Sequence, residues 1–270
     1  MKAMKILVPI DFSENAEKAL DFALVLAKRK EGSITMIHVI EMVYDFASQA
    51  AIALDGMYND SHSLMEKLRD KYAKSGIPID FIIKEGTASI TVSRSAEEIG
   101  AELIVMGTQG SSGARKLIFG STTVSLIKES KVPVLVIPEN ANMSEVNSLT
   151  LALEFSDHEE KFIKWVIDLS QTWEMKLDFL HVSSEISFKE KLASLGIETY
   201  LKEHFPKVDS KLTLRLADSP SQGLNEFLNK QNNSILVLCH EHKSFWEQLT
   251  KSSDSVNLAY TAHTPLLILV

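Results

Sequence analysis

The chain has 270 residues, long for one small domain and comfortable for two hydrophobic cores. Apolar residues make up 45% and charged residues 24%, the balance of a globular protein, and a net charge of −8 with no dense Lys/Arg cluster argues against a nucleic-acid surface. No run approaches the ~20 consecutive apolar residues of a membrane span, and a single cysteine, Cys239, excludes an internal disulfide framework.

The opening "MKAMKILVPIDFSEN" has two lysines before a short apolar run that Pro9 and Asp11 interrupt, so it reads as a first strand rather than an export signal. With the lone cysteine this sets the expectation of a cytoplasmic protein, in which the Asn-x-Ser matches at Asn59, Asn142 and Asn232 are chance. "KILVPI" is a continuous apolar run, as in a strand buried on both faces of a parallel sheet. Ser13 caps the next helix, whose Ala16, Leu20, Ala23, Leu24 and Ala27 sit at helical spacing. "SITMIHV" is the second strand.

The apolar stretch Glu41 to Asp60 follows and leaves its role open: a helix or loop tucked onto the body, a flap over a pocket, or a surface for another chain. A helix over Ser61–Lys74, the strand "IDFIIKE", a helix over Ile90–Ile99 and the strand "AELIVM" come next. After a glycine-rich stretch, a helix over Thr122–Lys128 and the closing strand "VPVLVIP" complete the pattern. Strands alternating with helices predict a parallel sheet covered on both faces, with right-handed crossovers. In such a sheet ligands bind beyond the carboxyl ends of the strands, and Asp11, Val39 and Gly107 all stand at those ends.

The pattern then repeats. Asp11-Phe12-Ser13 aligns with Glu154-Phe155-Ser156, 143 positions on, and Lys18 with Lys161 and His38-Val39 with His181-Val182 keep that offset. "LIVMGTQG" aligns with "ILVLCHEH", and Pro133 with Pro265 at an offset of 132, so the second copy is eleven residues shorter in its middle. The polar stretch "PENANMSEVNS", Pro138 to Ser148, reads as a linker with the boundary near Asn147. The expected domains are 1–140 and 149–270.

In "GTQGSSGARKLIFGSTT" the spacing is Gly107, Gly110, then Gly120-Ser121-Thr122. Glycines let backbone N–H groups approach a polyphosphate and adopt positive φ. Gly120-Ser121-Thr122 precedes a helix, whose N-terminal amides and dipole attract anions, and Arg115 and Lys116 would bring positive charge to outer phosphates. The spacing is neither a Walker A loop nor a dinucleotide fingerprint, and on physics alone the stretch could equally be a turn.

The pattern G-x2-G-x9-G-[ST], the opening "ILVPIDFSENAEKAL" and the closing "VPVLVIP" resemble the universal stress protein family, over all of the first copy and more faintly the second. The resemblance implies two Rossmann-like α/β domains of the adenine nucleotide alpha hydrolase type, each a five-stranded parallel sheet. It implies ATP with Mg²⁺, adenine near Asp11 and Val39, and ribose and phosphates against Gly107, Gly110, Gly120, Ser121 and Thr122. Pro9, Ile10 and Met106 flank those positions. It also implies a tandem member whose halves pack like a dimer, often through the closing strands. Members without the glycines generally do not hold ATP.

The second copy has Cys239-His240-Glu241-His242 in place of Gly107–Gly110, Ser252-Ser253-Asp254 in place of Gly120–Thr122, and Glu154 in place of Asp11. If the glycines served only the turn, the sister turn should need them too. The first copy's glycines are therefore expected to serve a ligand, and the second site is expected to be empty of ATP, because Asp254 sets a negative charge where phosphate should lie.

"CHEH" offers metal-type ligands, but adjacent residues rarely meet one ion, and loop residues are the expectation. His38 and His181, at matching strand ends, are expected to share a structural role, and Trp165, Trp173 and Trp246 to serve core or interface. No catalytic constellation is present. The expected function is an ATP-binding regulatory module with an unknown protein partner and, as one option, pairing into homodimers. The alternatives are a slow ATPase, a protein that phosphorylates itself at Ser121 or Thr122, and a nucleotide-free scaffold.

Overall fold

In the computed structural model the described residues are 3–41, 50–108, 120–142, 145–156, 159–231, 233–239 and 263–270, with backbone alone for 50–53 and 221. They form two compact units, 1–139 and 140–270. The first contains β1 (Lys5–Pro9), α1 (Glu14–Arg29), β2 (Ser33–Ile40), α2 (Ala50–Lys71), a 3₁₀ turn at Ala73–Ser75, β3 (Ile79–Glu85), α3 (Ala88–Ile99), β4 (Leu103–Gly107), α4 (Ser121–Glu129) and β5 (Val134–Ile137). Its strands are all parallel in the order β3-β2-β1-β4-β5.

The second unit contains β6 (Ser148–Leu153), α5 (Glu159–Thr172), β7 (Lys176–Ser183), α6 (Phe188–His204), β8 (Ser210–Leu216), α7 (Pro220–Leu228), β9 (Ser234–Cys239) and β10 (Leu266–Leu269). Its order, β8-β7-β6-β9-β10, is that of the first unit strand for strand. Strands β4, β5, β6, β9 and β10 are almost wholly buried, in keeping with their apolar runs, whereas β3 is half-buried.

Local chemistry explains the helix boundaries. Ser13 Oγ accepts from Ala16 N–H at the start of α1, Glu14 and Glu17 occupy its first turn and Lys28 and Arg29 its last, all matching the helix dipole. Its buried face includes Ala19, Leu20, Phe22, Ala23, Leu26 and Ala27. α2 begins at Ala50, eleven residues before the expected Ser61. Residues 50–60 of the apolar insertion are thus helix, and Tyr58 Oη holds it to the sheet by donating to Ile83 O at 2.8 Å. Residues 42–49 of the stretch read as a possible flap lie outside the described residues.

The segment read as a linker carries buried Ala141 and Val146, and Asn147 N–H donates to Asn233 O at 2.9 Å. From Asn140 onward it belongs to the second unit.

The duplication extends to backbone detail. Phe12 and Phe155 both take positive φ, 63° and 58°, and so do Glu31 and Glu174, 48° and 53°. Non-glycine residues seldom adopt this conformation. Ile104 N–H donates to Pro133 O and Leu236 N–H to Pro265 O, both at 2.9 Å. Trp173 is wholly buried in the second core.

Helix α6 is fastened by a capping box in which Ser187 Oγ accepts from Glu190 N–H and Glu190 Oε2 accepts from Ser187 N–H at 2.7 Å. Glu190 Oε1 also lies 3.2 Å from His181 Nε2. Chiefly through the Ser187 backbone N–H, these bonds lower the Glu190 carboxyl from 4.5 to about 2. A depressed folded value means that the stabilisation is complete above about 4.5 and is lost as the pH falls towards 2. Glu190→Gln should therefore be less stable than the parent protein at neutral pH, with the gap closing between pH 4.5 and 2. Urea melts followed by circular dichroism across that range check this; a pH-independent gap contradicts it.

Candidate functional site

The site is built around the point where strand order reverses. From β1 one crossover runs to β2 and the other neighbour is β4, so a crevice opens beyond the carboxyl ends of these strands. The chain leaving β1 is held in three ways. Ile10 N–H donates to Ile37 O at 2.8 Å, and His38 Nδ1 donates to Ile10 O at 2.7 Å, since a carbonyl oxygen only accepts. The Phe12 ring, carried by its positive φ, lies 4.7 Å from the His38 ring. Asp11 Oδ1 then accepts from Ser13 N–H at 3.1 Å and Ser13 Oγ at 2.6 Å.

The second edge is the end of β4. Gly107 does not take positive φ, and neither does Gly120 at φ −64°, so the expectation of left-handed glycines fails at both. The reason for Gly107 is close approach: a Cβ there would stand 3.0 Å from Asn15 O and 3.1 Å from Asn15 Cβ, in the first turn of α1. Across the following loop, Gly120 N–H donates to Thr108 O at 2.7 Å. Buried Thr123 reinforces this closure, its Oγ1 donating to Gly107 O at 3.3 Å. α4 therefore starts beside the end of β4. Its N-cap is Gly120, which has no side chain to cap the first amides of α4, and Gly120, Ser121 and Thr122 all line the crevice.

These pieces enclose a cavity of about 390 Å³. Nine of the residues named from the sequence line it: Pro9, Ile10 and Asp11 after β1, Val39 from β2, Met106 and Gly107 from β4, and Gly120, Ser121 and Thr122 at α4. Gly110 and Arg115 lie outside the described residues, as do Lys116 and positions 240–262, which include Trp246 and all but the cysteine of "CHEH". Sequence reasoning missed part of the wall. Ala16, Val92 and Leu126 look like core positions of their helices, and here their apolar side chains also face the cavity. Glu41 was missed as well. It lines the cavity, and its Oε1 accepts from Ala88 N–H at 2.8 Å, capping α3, whose own N-cap Thr87 makes no side-chain bond.

Residues 2–138 match the sequence pattern described as the Universal stress protein family. The chain belongs to this family. Universal stress protein YxiE of Bacillus subtilis is 31% identical over 144 residues, which cover 49% of this chain and 97% of YxiE. Universal stress protein MJ0577 of Methanocaldococcus jannaschii is 27% identical over 154 residues, 49% of this chain and 93% of that protein. Among solved structures, a universal stress protein from Archaeoglobus fulgidus superimposes with a TM-score of 0.76 at 19% identity, covering 99% of this chain and 96% of its own. That likeness concerns the fold, and it extends over both halves: the chain is a tandem universal stress protein.

The sister rim in the second half is held alike but filled differently. His181 Nδ1 donates to Leu153 O at 2.8 Å and the ring stacks on Phe155 at 4.0 Å, the counterpart of His38, Ile10 and Phe12. The two histidines thus share one structural task. At the position of Ala16 stands Glu159, buried, whose carboxylate accepts from Glu154 N–H at 2.5 Å and Ser156 N–H at 3.2 Å. Gly223 of α7 lies so close to Val182, the sister of Val39, that a Cβ would meet Val182 Cγ1 at 2.3 Å. A cavity of about 410 Å³ in this unit runs from the loop after β6, at Phe155, Ser156 and Glu159, between α5 and α6 to Ile163, Ala193, Ile197 and Tyr200. Among the described residues no cluster of three or more His, Cys, Asp or Glu side chains could hold a metal ion. Among them, too, no helix is long and apolar enough to cross a membrane.

Removing the cross-cavity cap tests the wall. Glu41→Ala should destabilise the first unit by about 1 kcal/mol, as loss of a helix N-cap does. A urea titration that shows no change at all would mean that Ala88 N–H is satisfied by other means.

Proposed function

We propose that this chain is a nucleotide-dependent regulatory module of the stress response with one ATP site, in its first half. The observation that carries the reading is the cavity at the carboxyl rim, where a helix begins with uncapped amides opposite a polar strand end. Its volume, about 390 Å³, falls in the range of small-molecule pockets. Ala16, Val92 and Leu126 supply apolar walls for a base. Asp11 and the backbone at Val39 supply polar edges for adenine. Ser121, Thr122 and the start of α4 supply N–H and hydroxyl donors for phosphate oxygens. Gly107 keeps the phosphate side of the crevice narrow, and Gly110 and Arg115 would extend it along the loop.

Mg²⁺ would accompany the triphosphate, held mainly by phosphate oxygens and water. Family membership supports the reading, as does the contrast with the sister rim, where Glu159 brings a carboxylate to the loop amides and Cys239 replaces Gly107. We place no ATP there. The arrangement favours sensing over turnover. Each ionisable side chain of the described cavity lining already braces the fold: His38 is committed to Ile10 O and Phe12, Asp11 accepts from Ser13, and Glu41 accepts from Ala88 N–H. Bound ATP would stabilise the first unit by mass action, and a protein partner in the cytoplasm would read that state.

The test is to denature freshly purified protein and quantify the released nucleotides. One adenine nucleotide per chain is expected, with Ser121→Asp weakening ATP binding by about tenfold or more through like-charge repulsion at the helix start. Two per chain would place a second site in the other half. None, with no response to added ATP, would leave a scaffold. Rapid appearance of ADP would favour the ATPase.

A further inference from the structure

Helix α6 presents an apolar face that none of the described residues covers. Its capping box and the His181–Glu190 contact hold it in place, and Ser194 and Leu201 bury its inner side. Yet Phe188, Leu192 and Leu195 are 75%, 53% and 59% exposed. Spaced by four and then three residues, they form one stripe along the helix. Singly exposed apolar residues are ordinary, whereas a contiguous stripe on a fastened helix marks a contact surface.

The charges beside the stripe say what fits it. On one flank stand Lys191 and Glu198, two turns apart, and neither has an ion-pair partner among the described residues. On the other flank stand Lys189 and Glu203. When two identical helices pack antiparallel about a two-fold axis, each flank meets the same flank of its mate, running the other way. Lys191 then faces Glu198 of the partner subunit, and Glu198 faces Lys191 of the partner subunit. Parallel packing brings opposite flanks together: Lys191 then meets Lys189 and Glu203 meets Lys202, so only the antiparallel arrangement pairs Lys191 with Glu198. One surface is therefore complementary to itself in one orientation, as a closed two-fold contact requires.

We propose that α6 is the seam of a homodimer, in which the Phe188, Leu192 and Leu195 stripe packs antiparallel on the same stripe of a second copy. Leu192 and Leu195 interleave near the axis, Phe188 covers the turn at Thr199 of the partner subunit, and two reciprocal Lys191–Glu198 pairs set the register.

The test uses the full chain in sedimentation velocity, with circular dichroism to verify folding. The parent protein should show a species of twice 30.1 kDa at concentrations of tens of micromolar. Leu192→Glu should leave only monomer. Lys191→Glu and Glu198→Lys should each weaken the dimer about tenfold by creating two like-charge contacts, and the double variant should return to within about threefold of the parent. That rescue depends on the antiparallel register and would not follow from a folding defect. A parent that stays monomeric at about 100 µM, a dimer indifferent to Leu192→Glu, or a double variant no better than either single would each overturn the proposal. So would open-ended polymers, which would point to a heterologous contact of α6 with exposed Met57 and Leu64 of α2 in another copy.

Discussion

A parallel sheet whose first strand lies in the middle cannot avoid a crevice. The chain builds outward from β1 to β2 and β3 on one side, and β4 and β5 fill the other. The connections on the two sides diverge at the carboxyl ends of β1 and β4. Nothing from the sheet fills the space between them. Every feature of the candidate site either lines that gap or braces its edges: the His38–Ile10 bond and the Phe12 ring on one side, the Thr108–Gly120 and Thr123–Gly107 bonds on the other.

The two halves show which parts of this arrangement belong to the fold and which to its use. The histidine bond to the strand-end carbonyl, the left-handed phenylalanine and the left-handed glutamate before the second strand occur in both. They are requirements of the architecture, since they persist where the glycines do not. Gly107 has a mixed status. Its missing Cβ lets α1 approach β4 closely, which is packing, and the same closeness narrows the crevice, which is site geometry. The sister position carries Cys239, so the second half must solve that approach in another way.

Much of the fold was legible in the residues. The strands "KILVPI" and "VPVLVIP" declare themselves because a buried parallel strand tolerates no polar alternation, and the repeat offset located the second set of strands. The start of α2 was not legible, because "AAIALDGMYND" mixes apolar residues with Gly56 and acids in no clean helical period. Its packing on β3 through Tyr58 decides the matter. For the site, backbone-bearing motifs at strand ends were readable. Ala16, Val92 and Leu126 were not, since a helix residue that faces a cavity carries the same apolar signature as one that faces a core. Glu41 and Glu159 escaped for a different reason. Each acts by accepting backbone N–H groups, and no spacing rule for carboxylates announces that.

Glu159 has a consequence for how the halves came to differ. In the first half one carboxylate, on Asp11, holds the Ser13 amide and also faces the cavity. In the second half the matching amide, on Ser156, is held by Glu159 from the first turn of the helix. The Ser156 amide thus has its carboxylate from the helix and not from the strand end, where aspartate has lengthened to glutamate. Anchoring the loop amide and lining the cavity fall to one carboxylate in the first half, so a change at Asp11 acts on both at once, whereas in the second half the anchoring carboxylate belongs to the helix.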